Sequence, residues 1–155
     1  MSAVHKPVLK WTLGGTGWAY FTWTSGEDTL RLRTSYVGDA LKDLLRATLD
    51  LKLGSSATFT SFLGEPGGHR MFFSGIADHA MYVQIVRFDD LLSENNRWAG
   101  GVPCWTGRVS VPDFIEAVQA MAAAVLEEHG EEGYHRSWVE APFPSRELAL
   151  LQRKP

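Results

Sequence analysis

Five histidines, one cysteine and a pair of adjacent aspartates are the groups whose types could do chemistry in this chain. The histidines are His5, His69, His79, His129 and His135. No two stand at HxH, HxxxH or HExxH spacing, so no single element offers the imidazole pair of a zinc site. Asp89-Asp90 could exchange protons or hold a hard cation. Adjacent positions on a strand point to opposite faces, however, so with Glu94 nearby they fit the cap of a solvated loop better. A small-ligand site or active site would have to gather His79, Asp89 and Asp90 in a pocket between sheet and helices. Cys104 has no CxxC partner and stands between Pro103 and Trp105, where a small buried apolar residue is expected. Gly14-Gly15-Thr16-Gly17 precedes a strand, not a helix, so no helix N-terminus is there to hold a phosphate. No G-x-S-x-G is present. These residues assign no catalytic group, no metal site and no cofactor.

Charge gives the stronger signal. Between Val111 and Phe143 stand seven acidic residues and one basic one, Arg136, a net of −6 within a chain whose total is −3. Glu127, Glu128, Glu131 and Glu132 put four carboxylates into six positions at the end of an expected helix, where the dipole opposes negative charge. Self-repulsion makes such a cluster costly, and a surface that steers a basic partner is one use for it. Trp98, a large ring in an irregular segment, is a second contact candidate. It would be either an interface anchor or the pin of a small hydrophobic cluster.

These residues must be positioned by the following elements. Period-two alternation marks strands at Lys10–Leu13 and Gly17–Thr24, with Trp18, Tyr20 and Thr22 on one face and Ala19, Phe21 and Trp23 on the other. Thr29–Thr34 repeats it, Leu30 and Leu32 inward, Arg31 and Arg33 outward, after the turn Ser25-Gly26-Glu27-Asp28. The period then lengthens: Val37, Leu41, Leu44, Leu45 and Leu49 predict a helix over about 37–53, with Gly54 as its stop. Strands follow at Ala57–Leu63, Arg70–Gly75 and Ala80–Phe88. The last is apolar on both faces, as a central strand would be. An irregular stretch from Asp89 to Pro103 leads to a strand at Cys104–Ser110. Ser110 as N-cap and Pro112 in the first turn open a helix over about 111–129, ended by Gly130, and a short helix is expected over about 144–152. The order implies an α+β domain: a twisted antiparallel sheet of about six or seven strands, with the helices packed mainly on one face.

One hundred and fifty-five residues, 45% hydrophobic with six Trp and eight Phe, are enough for a single domain with its own core. Residues 1–9 read as a flexible arm. One cysteine forms no internal disulfide, and no apolar run reaches ~20 residues, which together predict a cytoplasmic protein without membrane contact. The mildly acidic balance gives no support to nucleic-acid binding. In its aromatic hairpin, leucine-rich helix, antiparallel sheet with a turn at Glu65-Pro66-Gly67, and C-terminal helix opened by Val111-Pro112-Asp113-Phe114, the chain resembles the immunity proteins of bacterial, especially actinobacterial, polymorphic-toxin loci. That resemblance implies a non-enzymatic domain that binds and blocks a cognate toxin, often a basic nuclease. Glu127, Glu128, Glu131, Glu132 and Trp98 would then be the contact set. Two other readings stand beside it: the ligand or enzyme pocket around His79, and a homodimer that uses an open sheet edge or the Trp98 loop.

Overall fold

The hairpin residues alternate as their side chains require. In the computed structural model, which describes residues 3–154, Val8–Leu13 (β2), Trp18–Ser25 (β3) and Asp28–Ser35 (β4) form a three-stranded antiparallel sheet in the order β2-β3-β4. Ala19, Phe21, Trp23 and Leu32 are buried, and Arg31 and Arg33 are exposed. A second sheet runs β1-β8-β7-β6-β5. Its strands are Val4–His5 (β1), Thr58–Leu63 (β5), Gly68–Ala77 (β6), Ala80–Phe88 (β7) and Val102–Ser110 (β8). All its pairings are antiparallel except β1 with β8. The helices are Ala40–Lys52 (α1), Val111–Trp138 (α2) and Ser145–Gln152 (α3).

The α+β class therefore holds, with eight strands among the described residues divided between two sheets where one sheet of about six or seven was expected. The loose arm is corrected as well. Val4 and His5 pair in parallel with Arg108 and Val109, and Val8 opens β2; Met1 and Ser2 lie outside the described residues. His5 is what ties this segment down. Its Nδ1 lies 2.7 Å from the Ser25 hydroxyl, and its ring meets Trp105 edge-on at 5.3 Å. Two residues, Lys6 and Pro7, thus carry the chain from the large sheet into the small one. At the other end the Thr34 hydroxyl of β4 donates to the Leu63 carbonyl of β5 at 3.0 Å.

One hydrophobic core fills the space enclosed by the inner faces of both sheets and all three helices. Trp23 of β3 meets Trp105 of β8 at 5.0 Å and Phe114 of α2 at 6.3 Å; Phe21 stacks on Phe62 of β5 at 5.0 Å. A smaller cluster, Val86, Phe88 and Leu91 with Leu63 and Phe72, lies on the outer face of the large sheet. β7 is thus central and covered in part on both sides, as its two apolar faces require. Its register shifts between Ile85 and Val86, which leaves the Met81, Val83 and Ile85 set inward.

Ser110 caps α2 as expected, its hydroxyl accepting from the Asp113 N–H at 3.3 Å. The helix does not end at Gly130. It breaks there (φ 68, ψ 170) and resumes to Trp138. Tyr134 and Trp138, four residues apart and both fully buried, continue the apolar stripe after the break. Ser137 anchors the far end to the β2–β3 turn: its carbonyl accepts from Gly17 N–H at 2.8 Å and its hydroxyl donates to the Gly15 carbonyl at 3.0 Å.

Only glycine adopts the Gly130 conformation without strain. A Cβ there meets no neighbour within 4 Å, so any penalty comes from the backbone alone. Gly130→Ala is expected to lower stability by about 1–3 kcal/mol, read as a fall in the urea midpoint. An unchanged midpoint would mean that the break is not needed to seat Tyr134 and Trp138.

Candidate functional site

The four glutamates sit on α2 astride the break, all exposed: Glu127 and Glu128 before Gly130, Glu131 and Glu132 after it. Their local partners are few. Glu131 accepts from the Ser145 hydroxyl at the start of α3, and Glu128 lies 3.8 Å from His129. No Lys or Arg pairs with any of the four among the described residues. Arg136 and His135 line a shallow depression with Glu132 and Val139 instead. The carboxylates therefore stand exposed, two on each side of the break, and this stretch is the acidic ridge of α2.

Trp98 lies elsewhere. It packs edge-on against Phe59 of β5 at 5.6 Å, and Phe59 stacks on Phe72 of β6 at 5.9 Å. The Arg70 guanidinium, buried at 4% exposure, lies 3.6 Å over the Trp98 ring and 4.8 Å from that of Phe88. Its Nη1 also donates to the Arg97 carbonyl. Arg70 is thus the bolt that holds the 89–101 loop to the outer face of the sheet, by cation–π contact and one hydrogen bond. Trp98 pins this loop and still leaves 56% of itself exposed. The expected contact set is consequently not brought together. α2 packs on the inner face of the five-stranded sheet, through Phe73 and Phe114 at 5.1 Å, while Trp98 rests on the outer face.

The pocket residues are also separated. His79 sits in the β6–β7 turn with φ 63, its carbonyl accepting from Val111 N–H at 2.8 Å. Asp89 and Asp90 follow the other end of the nine-residue β7, a separation on the order of 30 Å. Asp90 caps its own loop, accepting from Leu92 and Ser93 N–H at 3.0 and 2.9 Å, and Asp89 faces Arg87 at 3.4 Å. The groove that contains His79, about 440 Å³, is lined by the ends of α1 and β6 and the start of α2, with Lys52 and no carboxylate. Cys104 is exposed, not buried: it falls beside the register shift of β8 against β7, where Trp105 takes the inward place. Among the described residues no three of His, Cys, Asp and Glu gather at metal-binding distance, and no helix is long and apolar enough to cross a membrane.

No protein-family model matches this chain, nor does any curated protein or solved structure.

One half-buried acid carries no motif in the sequence. Asp39, at the N-cap of α1, has a buried Oδ1 with no hydrogen-bond partner, and the Tyr134 hydroxyl is buried and unpartnered too. Burial pushes the Asp39 carboxyl above its ordinary 3.8; Lys42 and Arg46 oppose this and Glu147 adds to it. Asp43, one turn on, is raised by burial and by Asp39. Burial, then the charge of Asp39, pushes the Tyr134 phenol upward. Perturbed acids often mark functional sites, but among the described residues the grooves around Glu132, His79, His5, Asp43 and Leu49 are lined by none of Asp39, Tyr134 and Glu147. An acid raised in the folded state lowers stability once pH climbs above its unfolded value. Asp39→Asn is therefore expected to melt higher than the parent at pH 7, with the two melting temperatures converging as pH falls below about 4. A lower melting temperature at pH 7 would overturn this account.

Proposed function

We propose that this chain is a non-catalytic protein-binding domain that recognises a basic partner through the acidic ridge of α2, in the manner of an immunity protein that blocks a cognate toxin. The observation that carries the reading is the ridge itself: Glu127, Glu128, Glu131 and Glu132 are exposed on ordered helix without a Lys or Arg partner among the described residues. Fixed, unneutralised charge of one sign accelerates and orients encounter with the opposite sign, and its stability cost is otherwise unrepaid. The separation of His79 from Asp89 and Asp90 favours this reading over a pocket built from those three. Trp98 forms a separate aromatic patch with Phe59, available to a second contact on the opposite face of the large sheet.

A basic protein recovered with the tagged chain from host lysate at low salt supplies the partner for kinetics. Changing all four glutamates to Lys is expected to slow association about tenfold or more and to flatten its salt dependence. Trp98→Ala, on the far side of the sheet, is expected to leave the association rate unchanged. Equal rates for the parent and the charge-reversed variant would refute the role of the ridge.

A further inference from the structure

The outer face of the small sheet has a composition unlike the rest of the molecule. Lys10 of β2 and Arg31 and Arg33 of β4 project from it, all exposed. None makes an ion pair among the described residues, and no Asp or Glu stands at any outward position of the three strands. Two of the cations lie flat on rings of β3: the Arg31 guanidinium is 3.8 Å from the Tyr20 ring centroid, and that of Arg33 is 3.8 Å from the Trp18 ring. The register pairs Tyr20 with Arg33 and Trp18 with Ser35, so each arginine reaches one pair along the sheet in the same direction. The two stacks repeat at about 7 Å, two residues of strand. The other outward positions are threonines, apart from Val8 and the buried Ser35. All three helices pack in the core on the opposite side of this sheet, which leaves the face open.

From this geometry we infer that the outer face of the β2-β3-β4 sheet binds single-stranded nucleic acid. A guanidinium held flat on an aromatic ring keeps its other plane free. That plane is both cationic and of the right shape to stack under a base, while its edge N–H groups reach phosphate oxygens. Lys10, across the sheet from Arg31 through Thr22, supplies a third point charge for the backbone, and the threonine hydroxyls are short neutral donors. Stacking on flat side chains over a sheet, with cations tracking the backbone, is how unpaired bases are held without sequence preference. An acidic polypeptide would use the three charges but gain nothing from the stacked planes. The overall charge of −3 averages two unlike regions and hides this one. The inference does not depend on the acidic ridge, which lies on a different element and is untouched by the test.

The test is fluorescence anisotropy of the full chain with a labelled oligothymidylate of about 12 nucleotides, with its duplex and with polyglutamate as competitors. Saturable binding of the single strand is expected, with a log–log salt slope near −2 for about three neutralised phosphates. Arg31→Glu with Arg33→Glu is expected to weaken it at least about tenfold, at unchanged circular dichroism. Arg31→Lys with Arg33→Lys keeps the charge and removes the planes, and is also expected to weaken it. Absence of single-strand binding at low salt would overturn the inference. So would equal competition by polyglutamate or duplex, which would make this face a site for acidic protein or for any polyanion. Parental affinity in the double lysine variant would overturn it too, by removing stacking from the interaction.

Discussion

Trp23 meets Trp105 at 5.0 Å and Phe114 at 6.3 Å, and this three-way contact joins the small sheet to the large one and to α2. Phe114 passes the contact on to Phe73 at 5.1 Å. Each ring removes a large apolar area from water, and each pair adds geometric preference beyond that area. Among the described residues the two sheets share no strand pairing; the His5 crossover and the Thr34 to Leu63 bond link them at their margins, and the Phe21–Phe62 stack links them in the core. Their relative placement therefore rests on these side chains. The core absorbs the inward set of every strand, and with it most of the large aromatics.

The functional candidates are what that core leaves over. On the small sheet the leftover face carries Lys10, Arg31 and Arg33; on the large sheet it carries Phe59, Phe72 and Trp98, with Arg70 as the clamp; on α2 it carries the glutamates. The aromatic set buries part of itself in the outer cluster and against the loop, whereas the two charged sets work against folding by charge alone. Arg70 is the exception. It is a buried cation without a carboxylate partner among the described residues, held instead by two ring faces and a backbone carbonyl. Guanidinium tolerates this environment because it is planar and weakly hydrated.

Much of the local structure was legible because it depends on periodicity. The alternation in β3 and β4 and in the body of β7, the helical stripe of α1 and the Ser110 cap are each decided within a few residues. The division into two sheets was not, because it depends on which strands become neighbours. A two-residue parallel strand such as Val4–His5 also has no pattern of its own to read. Gly130 misled for a physical reason. A glycine with positive φ is the ordinary stop of a helix, and only the buried pair Tyr134 and Trp138 beyond it reveals a break followed by continuation. Among the site residues, the exposure of the glutamates and the Asp90 cap followed from local sequence. The distance between the glutamates and Trp98, and that between His79 and Asp90, are products of topology.

Net charge proved a poor guide for the same reason that it is easy to compute: it has no positions. The basic face is the outer side of the small sheet and α2 packs on its inner side, so the thickness of that sheet, on the order of 10 Å, lies between the two surfaces. Physiological salt screens exposed charges over about 8 Å. At that ionic strength the two fields do not cancel, and a partner approaching either surface responds to that surface alone. A chain of −3 can therefore attract a cation on one side and an anion on the other. Lowering the salt would weaken that independence, since the screening length grows to about 30 Å at 0.01 M. Each surface would then be felt partly through the opposite charge behind it.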